Sequence, residues 1–179
     1  MILKLLVLFA IIVILFGFYA AYLPAAFRVE RSVTINASKD LIFPHFNNLQ
    51  KLDVWNPFSK SDPHMKMAFA GPTEGVGAKA TWEGNAQAGA GAMEITESVP
   101  NEFVKMRLDF RKPFEGTNYT QYSLSSQGDQ TTATWIMEGK MAFIPRAISI
   151  FFSMDKMMGR MFEQGLAQVK TLSEAEAKR

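Results

Sequence analysis

The sequence predicts an α+β domain: a curved antiparallel seven-stranded sheet wrapped around a long C-terminal helix, with a transmembrane helix ahead of it. Three observations predict this. An uncharged apolar run extends from Leu5 to Leu23, six strand-like runs separated by turn-rich connections follow one another between residues 65 and 141, and the last stretch repeats its apolar residues every three to four positions. A sheet with one apolar face must be covered, and the final helix is the only predicted element large enough to cover it.

Thirteen of the nineteen residues from Leu5 to Leu23 are Leu, Ile, Val or Phe. As a helix this run spans about 28 Å, close to the ~30 Å hydrocarbon core of a bilayer. A cleaved signal peptide is the competing reading, but its apolar region is shorter and ends in a small-x-small site. Here Leu23 and Pro24 occupy the positions before Ala25 and Ala26, and Tyr19 and Tyr22 read as an interfacial aromatic belt. Residues 1–24 are therefore expected to be an uncleaved anchor, and residues 27–179 the folded domain. Lys4 precedes the span while Arg28, Arg31 and Lys39 follow it, an asymmetry that favours the cytoplasmic side for the domain.

Pro24 stops the helix and the first strand starts about three residues later, a reach of at most ~11 Å, so the domain is held against the membrane surface. In that strand Phe27, Val29, Arg31, Val33 and Ile35 alternate with Arg28, Glu30, Ser32 and Thr34, a period of two that only Arg31 interrupts. The segment "SKDLIFPHFNNLQKLDVW" carries Ser38 as a plausible N-cap and an interrupting Pro44, which suits two short helices. Strands are expected at 65–70, 78–83, 92–98, 102–111, 117–125 and 131–141, an antiparallel meander. Ile148, Phe151, Phe152, Met154, Met158, Phe162, Leu166, Val169 and Leu172 then mark one long amphipathic helix.

Composition closes several routes to function. Setting aside Lys4 leaves 18 basic and 17 acidic side chains on residues 24–179 out of 19 and 17, a balance that does not suggest nucleic acid. No cysteine is present, which excludes disulfides and thiolate chemistry. His45 and His64 lack the spacing of a helix metal site and read as surface or loop residues. No G-x-S-x-G elbow exists, so no nucleophile, metal or cofactor is expected. "NAS" at 36–38 and "NYT" at 118–120 match glycosylation sequons, but the first reads as a helix cap and the second falls in a strand.

The stretch "GPTEGVGAKATWEGN" invites a phosphate-binding reading. A Walker loop needs Gly-Lys-Ser/Thr, and a dinucleotide turn needs a helix after its glycines; here the strand "AKATWEG" follows Gly77. The glycines are thus expected to serve a corner between antiparallel strands, where positive φ is needed. Parity along the strands then turns Trp82 inward, with Met93 and Ile95, Val104, Met106, Leu108 and Phe110, Thr120, Tyr122 and Leu124, and Ala133, Trp135 and Met137. Phe151, Met154, Met158 and Phe162 oppose them from the helix. Met and aromatic stripes at such spacing are most often plain core, yet they also reshape easily around variable guests. Glu97, by parity with Ile95, and Tyr122 are the candidates for proton transfer; a strand end open to water and a cross-sheet hydrogen bond are their structural alternatives.

The phrases "VERSVTINAS", "WNPFSKSDPHMK", "GPTEGVGAKATWEGN", "PFEGTNYTQYSL" and "MDKMMGRMFEQGLAQVK" resemble the START-related helix-grip superfamily, in particular its polyketide cyclase or dehydratase and lipid-transport members (SRPBCC). The resemblance runs from about Val29 to Leu172 and implies a helix-grip fold with an internal pocket, but no shared catalytic signature. On that basis Trp82, Met93, Met106, Phe110, Tyr122, Trp135, Met154, Met158 and Phe162 are the expected ligand-binding residues. The function this implies is membrane-anchored binding or carriage of an apolar small molecule such as a lipid, isoprenoid or quinone. A cyclase- or aromatase-like enzyme using the same cavity is the alternative, and an interaction protein with a filled cavity is a third. The expected partners are that hydrophobic ligand and, through the N-terminal helix, membrane lipid.

Overall fold

The structure, a computed structural model, describes residues 1–151 and 153–179. Helix α1 (Ile2–Tyr22) is exposed along nearly its whole length and is long and apolar enough to cross a membrane. Leu23 leaves it in extended conformation ahead of Pro24, and β1 (Ala26–Ile35) follows at once.

The sheet is fully antiparallel. Strands β2 (Lys66–Ala70), β3 (Lys79–Glu83), β4 (Ala90–Val99), β5 (Phe103–Lys112), β6 (Gly116–Gln127) and β7 (Gln130–Lys140) form the expected meander, and β1 closes on β7 to give the order β1-β7-β6-β5-β4-β3-β2. The β1–β7 register runs without interruption from Ala26↔Lys140 to Ile35↔Thr131. Gly71, Gly75 and Gly77 take φ of +78°, +78° and +89°, and the glycine-rich stretch is the corner between β2 and β3.

Helices α2 (Lys39–Asn47) and α3 (Leu49–Trp55) close one end of the sheet. Ser38 holds the N-cap position of α2 without a side-chain capping bond, whereas α3 is capped by Asn48, whose Oδ1 accepts from the backbone N–H of Gln50 and Lys51 at 3.0 and 3.1 Å. The expectation that His45 is a surface residue is corrected here. It is 6% exposed, because α2 turns the imidazole toward the end of the C-terminal helix, where its Nε2 lies 3.4 Å from Glu176 Oε1. His64 is exposed, as read.

The long helix is shorter than its apolar spacing suggests. The chain forms α4 (Phe143–Ile148), breaks, and restarts as α5 (Met154–Glu176), with Ser153 Oγ accepting from the N–H of Lys156 at 3.3 Å. Phe151, expected to face the sheet, is instead 70% exposed and stacks on Phe16 of α1 at 5.8 Å, since the break puts it out of phase with α5. Phe152, counted with the same helix, lies outside the described residues. Beyond the break the phase holds: Phe162, Leu166 and Val169 are buried against the sheet. Gly165 lets them approach, since a Cβ there would meet the rings of Trp135 and Trp55 and the Cδ of Pro57 at 2.8, 3.1 and 3.0 Å.

Arg31, the exception in the β1 pattern, points to the covered face like its neighbours. Its guanidinium reaches α5, with Nη2 3.0 Å from Asp155 Oδ2 and Nε 2.8 Å from Glu163 Oε1. Hydrogen bonds donated to the Asp155 and Glu163 carboxylates hold Arg31 above the usual guanidinium range, and Arg31 in turn holds Asp155 below the usual carboxylate range. Gly159 leaves the room: a Cβ there would overlap the guanidinium.

Candidate functional site

The core is aromatic at its centre. Trp135 stacks on Phe162 at 4.0 Å and meets Trp55 edge-on at 5.6 Å, while Tyr122 stacks on Phe46 at 4.7 Å. Each buried indole N–H finds an acceptor: Trp55 donates to the His45 carbonyl at 3.1 Å and Trp135 to Thr120 Oγ1 at 2.8 Å, and Thr120 donates onward to the Ile136 carbonyl at 2.8 Å. This block, with Phe46 from α2 and Trp55 from α3, fills the side of the space under α5 that faces those two helices.

The other side stays open. A cavity of ≈ 400 Å³ lies between the inner face of β2–β7, the start of α5 and the connection that follows α3, a size in the range of small-molecule sites. Its lining includes Trp82, Met93, Met106, Phe110, Tyr122, Trp135, Met154 and Met158, eight of the nine expected ligand-binding residues, together with Leu108, Thr120 and Met137, which parity also turned inward. Phe162 is the remaining predicted residue, and it lies behind the wall, fully buried on Trp135. Nine of the 11 methionines line the hollow, all but Met1 and Met161, which makes its wall adaptable. Gly91 clears space for the indole of Trp82, which a Cβ would strike; that indole meets Phe110 edge-on at 5.5 Å and donates to the Ala88 carbonyl at 3.3 Å.

Polar groups are few and sorted by depth. Lys112, Glu115, Gln87 and Lys140 are exposed lining residues and so mark the mouth. Deeper lie Thr120 and Tyr122 and, on the α3 side, Asn56, whose Oδ1 accepts from the N–H of Phe58 at 3.1 Å. Burial pushes the Tyr122 phenol well above its usual range, an effect the Thr120 hydroxyl only partly opposes. It stays neutral, able to donate a hydrogen bond and unable to act as a base. Glu97 does not reach the cavity: the register slips between Ile95 and Glu97, a bulge that reverses the parity of Glu97 and leaves it in an exposed ion pair with Lys105 at 2.8 Å. Among the described residues no three His, Asp or Glu side chains come together as a metal site.

Several lining residues escaped sequence reasoning. Met65 and Met67 alternate with the exposed Lys66 and Ala68, so β2 carried a usable signal. Asn56 and Phe58 sit in an aperiodic connection, Met141 falls at the end of the strand expected at 131–141, and Ala142 and Pro145 lie where strand gives way to helix; none of these positions offers a periodic signal.

Known proteins share this fold. The sequence model of the family described as "Polyketide cyclase / dehydrase and lipid transport" matches residues 26–174. No curated protein matches the sequence. Similar solved structures include a protein from Chromobacterium violaceum (19% identity, 85% of this chain and 99% of that one, TM-score 0.59). A protein from Nitrosospira multiformis is comparable (15% identity, 85% and 99% covered, TM-score 0.59). So is the Aha1 dimer from Colwellia psychrerythraea (16% identity, 83% and 96% covered, TM-score 0.56). At these identities the likeness is one of fold.

Proposed function

We propose that this chain, which belongs to the polyketide cyclase/dehydrase and lipid transport family, holds an apolar small molecule in the cavity beneath α5, with α1 anchoring it to a membrane. The ligand class is a lipid, isoprenoid or quinone. The observation that carries the reading is the hollow itself: ≈ 400 Å³ walled largely by methionine and aromatic side chains, in a domain whose remaining interior is packed with aromatics. Burial of ~200–300 Å² of ligand at ~25 cal/mol per Å² supplies on the order of 5–7 kcal/mol before the costs of binding, an affinity suited to carriage. The basic residues Arg28, Arg31 and Lys39 after the span lead us to assign the domain to the cytoplasmic side.

The test is organic extraction and native mass spectrometry of the full chain purified from its own membrane in mild detergent. A co-purifying apolar molecule, lost when Met158→Trp fills the cavity, is expected. A chain that carries nothing, and takes up no lipid or quinone when offered them, would overturn the reading.

Catalysis of the cyclase type keeps one specific support, the neutral Tyr122 phenol among the lining residues, which can donate a hydrogen bond to a substrate oxygen. Turnover of a bound substrate abolished by Tyr122→Phe, with binding retained, would favour that reading over carriage.

A further inference from the structure

The segment from Ala142 to Met157 has two apolar sides. One side lines the cavity through Ala142, Pro145, Met154 and Met157. The other carries Phe143, Ile144, Ile148 and Phe151, which are 48%, 53%, 48% and 70% exposed. Four large apolar side chains exposed within nine residues form a patch of the kind that marks an interaction surface.

Its position against α1 identifies the partner. Phe151 stacks on Phe16, six residues before Tyr22 at the helix end. Six residues correspond to about 9 Å of helix rise, so Phe151 reaches that far down the side of α1. Ala20, one turn nearer the domain, is fully buried. At the helix end, Arg146 Nη1 donates to the carbonyls of Leu23 and Ala21 at 3.2 and 3.4 Å. Terminal carbonyls have no intrahelical donor, and at the edge of a bilayer a long basic side chain is the group that can satisfy them while reaching toward water.

We infer that the α4 segment is seated in the leaflet next to α1, so that the wall of the cavity formed by Ala142, Pro145, Met154 and Met157 separates the hollow from lipid rather than from water. The inference rests on the anchor reading above: once α1 spans a bilayer up to Tyr22, a side chain stacked on Phe16 lies below the helix end. An apolar guest then passes between bilayer and cavity through the α4 corner, and the exposed Ile148 and Phe151 are the contact with acyl chains.

The chain has no native cysteine, so single cysteines carry a fluorescent NBD probe to chosen depths. Full-length Ile148→Cys and Phe151→Cys, reconstituted in phosphatidylcholine–phosphatidylglycerol vesicles, are compared with Leu15→Cys inside α1 and Asp129→Cys in the distant β6–β7 turn. Blue-shifted emission quenched about twofold or more by lipids spin-labelled on their acyl chains is expected at positions 148, 151 and 15, and water-like emission at 129. Water-like emission at 148 and 151 with quenching at 15 overturns the inference and leaves the anchor standing. Loss of quenching at 15 overturns the inference together with the anchor. Neither outcome depends on cavity occupancy, which the extraction experiment reads separately.

Discussion

Gly91 and His45 each carry a consequence that their residue types do not announce. A Cβ at Gly91 would strike the Trp82 ring at 2.4 Å and the Asp109 carbonyl oxygen at 2.6 Å. The second contact is backbone and cannot swing away, so Gly91→Ala is expected to cost about 1–3 kcal/mol and to push the indole into the cavity. Chemical unfolding measures the first effect, and a change in the Trp82 emission that survives in the folded state measures the second. His45 acts through pH. Burial lowers its folded pKa, the Glu176 carboxylate opposing, so the unfolded chain binds the extra proton first. Stability is then fully present above the unfolded value of about 6.5 and falls as the pH drops from there toward the lowered folded value. Carboxylates held low, such as Asp155 beside Arg31 and Glu174 beneath the Asn36 N–H, lose their contribution only in a more acidic window. The pH dependence of the melting temperature of His45→Gln is expected to be flatter just below about pH 6.5, where the unfolded imidazole takes up its proton. Neither buried His45 nor inward Arg31 was legible in the sequence as more than an interruption or a surface group. A charged or titratable residue reads as solvated until the partner that satisfies it, here on α5, is brought in by the fold.

At the scale of elements, period-two alternation located all seven strands to within about two residues because each keeps one face covered. Alternation failed where geometry inserts one extra residue: the bulge between Ile95 and Glu97 reverses parity without any change of residue type. Helical spacing failed for the opposite reason, since Ile148 and Phe151 keep the three-to-four rhythm across a break that only Ser153 marks. The rest of α5 divides its labour along its length. Met154 and Met158 face the hollow, while Phe162, Leu166 and Val169 fill the core. Truncation should therefore act differently at the two ends. Leu166→Ala is expected to cost about 2–5 kcal/mol, the range for a buried leucine in a packed interior. Met158→Ala enlarges a space already open, and is expected to cost under about 1.5 kcal/mol while changing which ligands co-purify. Equal losses at the two sites in denaturant unfolding would mean that the hollow collapses around its contents.

The whole molecule joins two bodies through one corner. Side chains of α1 are absent from the hydrophobic core, and α1 meets the domain at α4, through Arg146, and at the Phe16–Phe151 stack. The sequence made the span and the domain separately legible, but their junction was not, because it depends on a helix break and a tertiary stack. A chain beginning at Pro24 is consequently expected to keep its fold, its unfolding free energy changed by no more than about 1 kcal/mol, as for changes away from the core. What it loses is the Phe16 ring stacked on Phe151, so the patch lies more open to water. The truncated chain is expected to sediment with phosphatidylcholine vesicles, and Ile148→Ser with Phe151→Ser to release it, because binding follows the apolar area buried in the interface. Sedimentation that persists in the double variant would move the contact to another surface, and a truncated chain that fails to fold would make α1 part of the domain's own core.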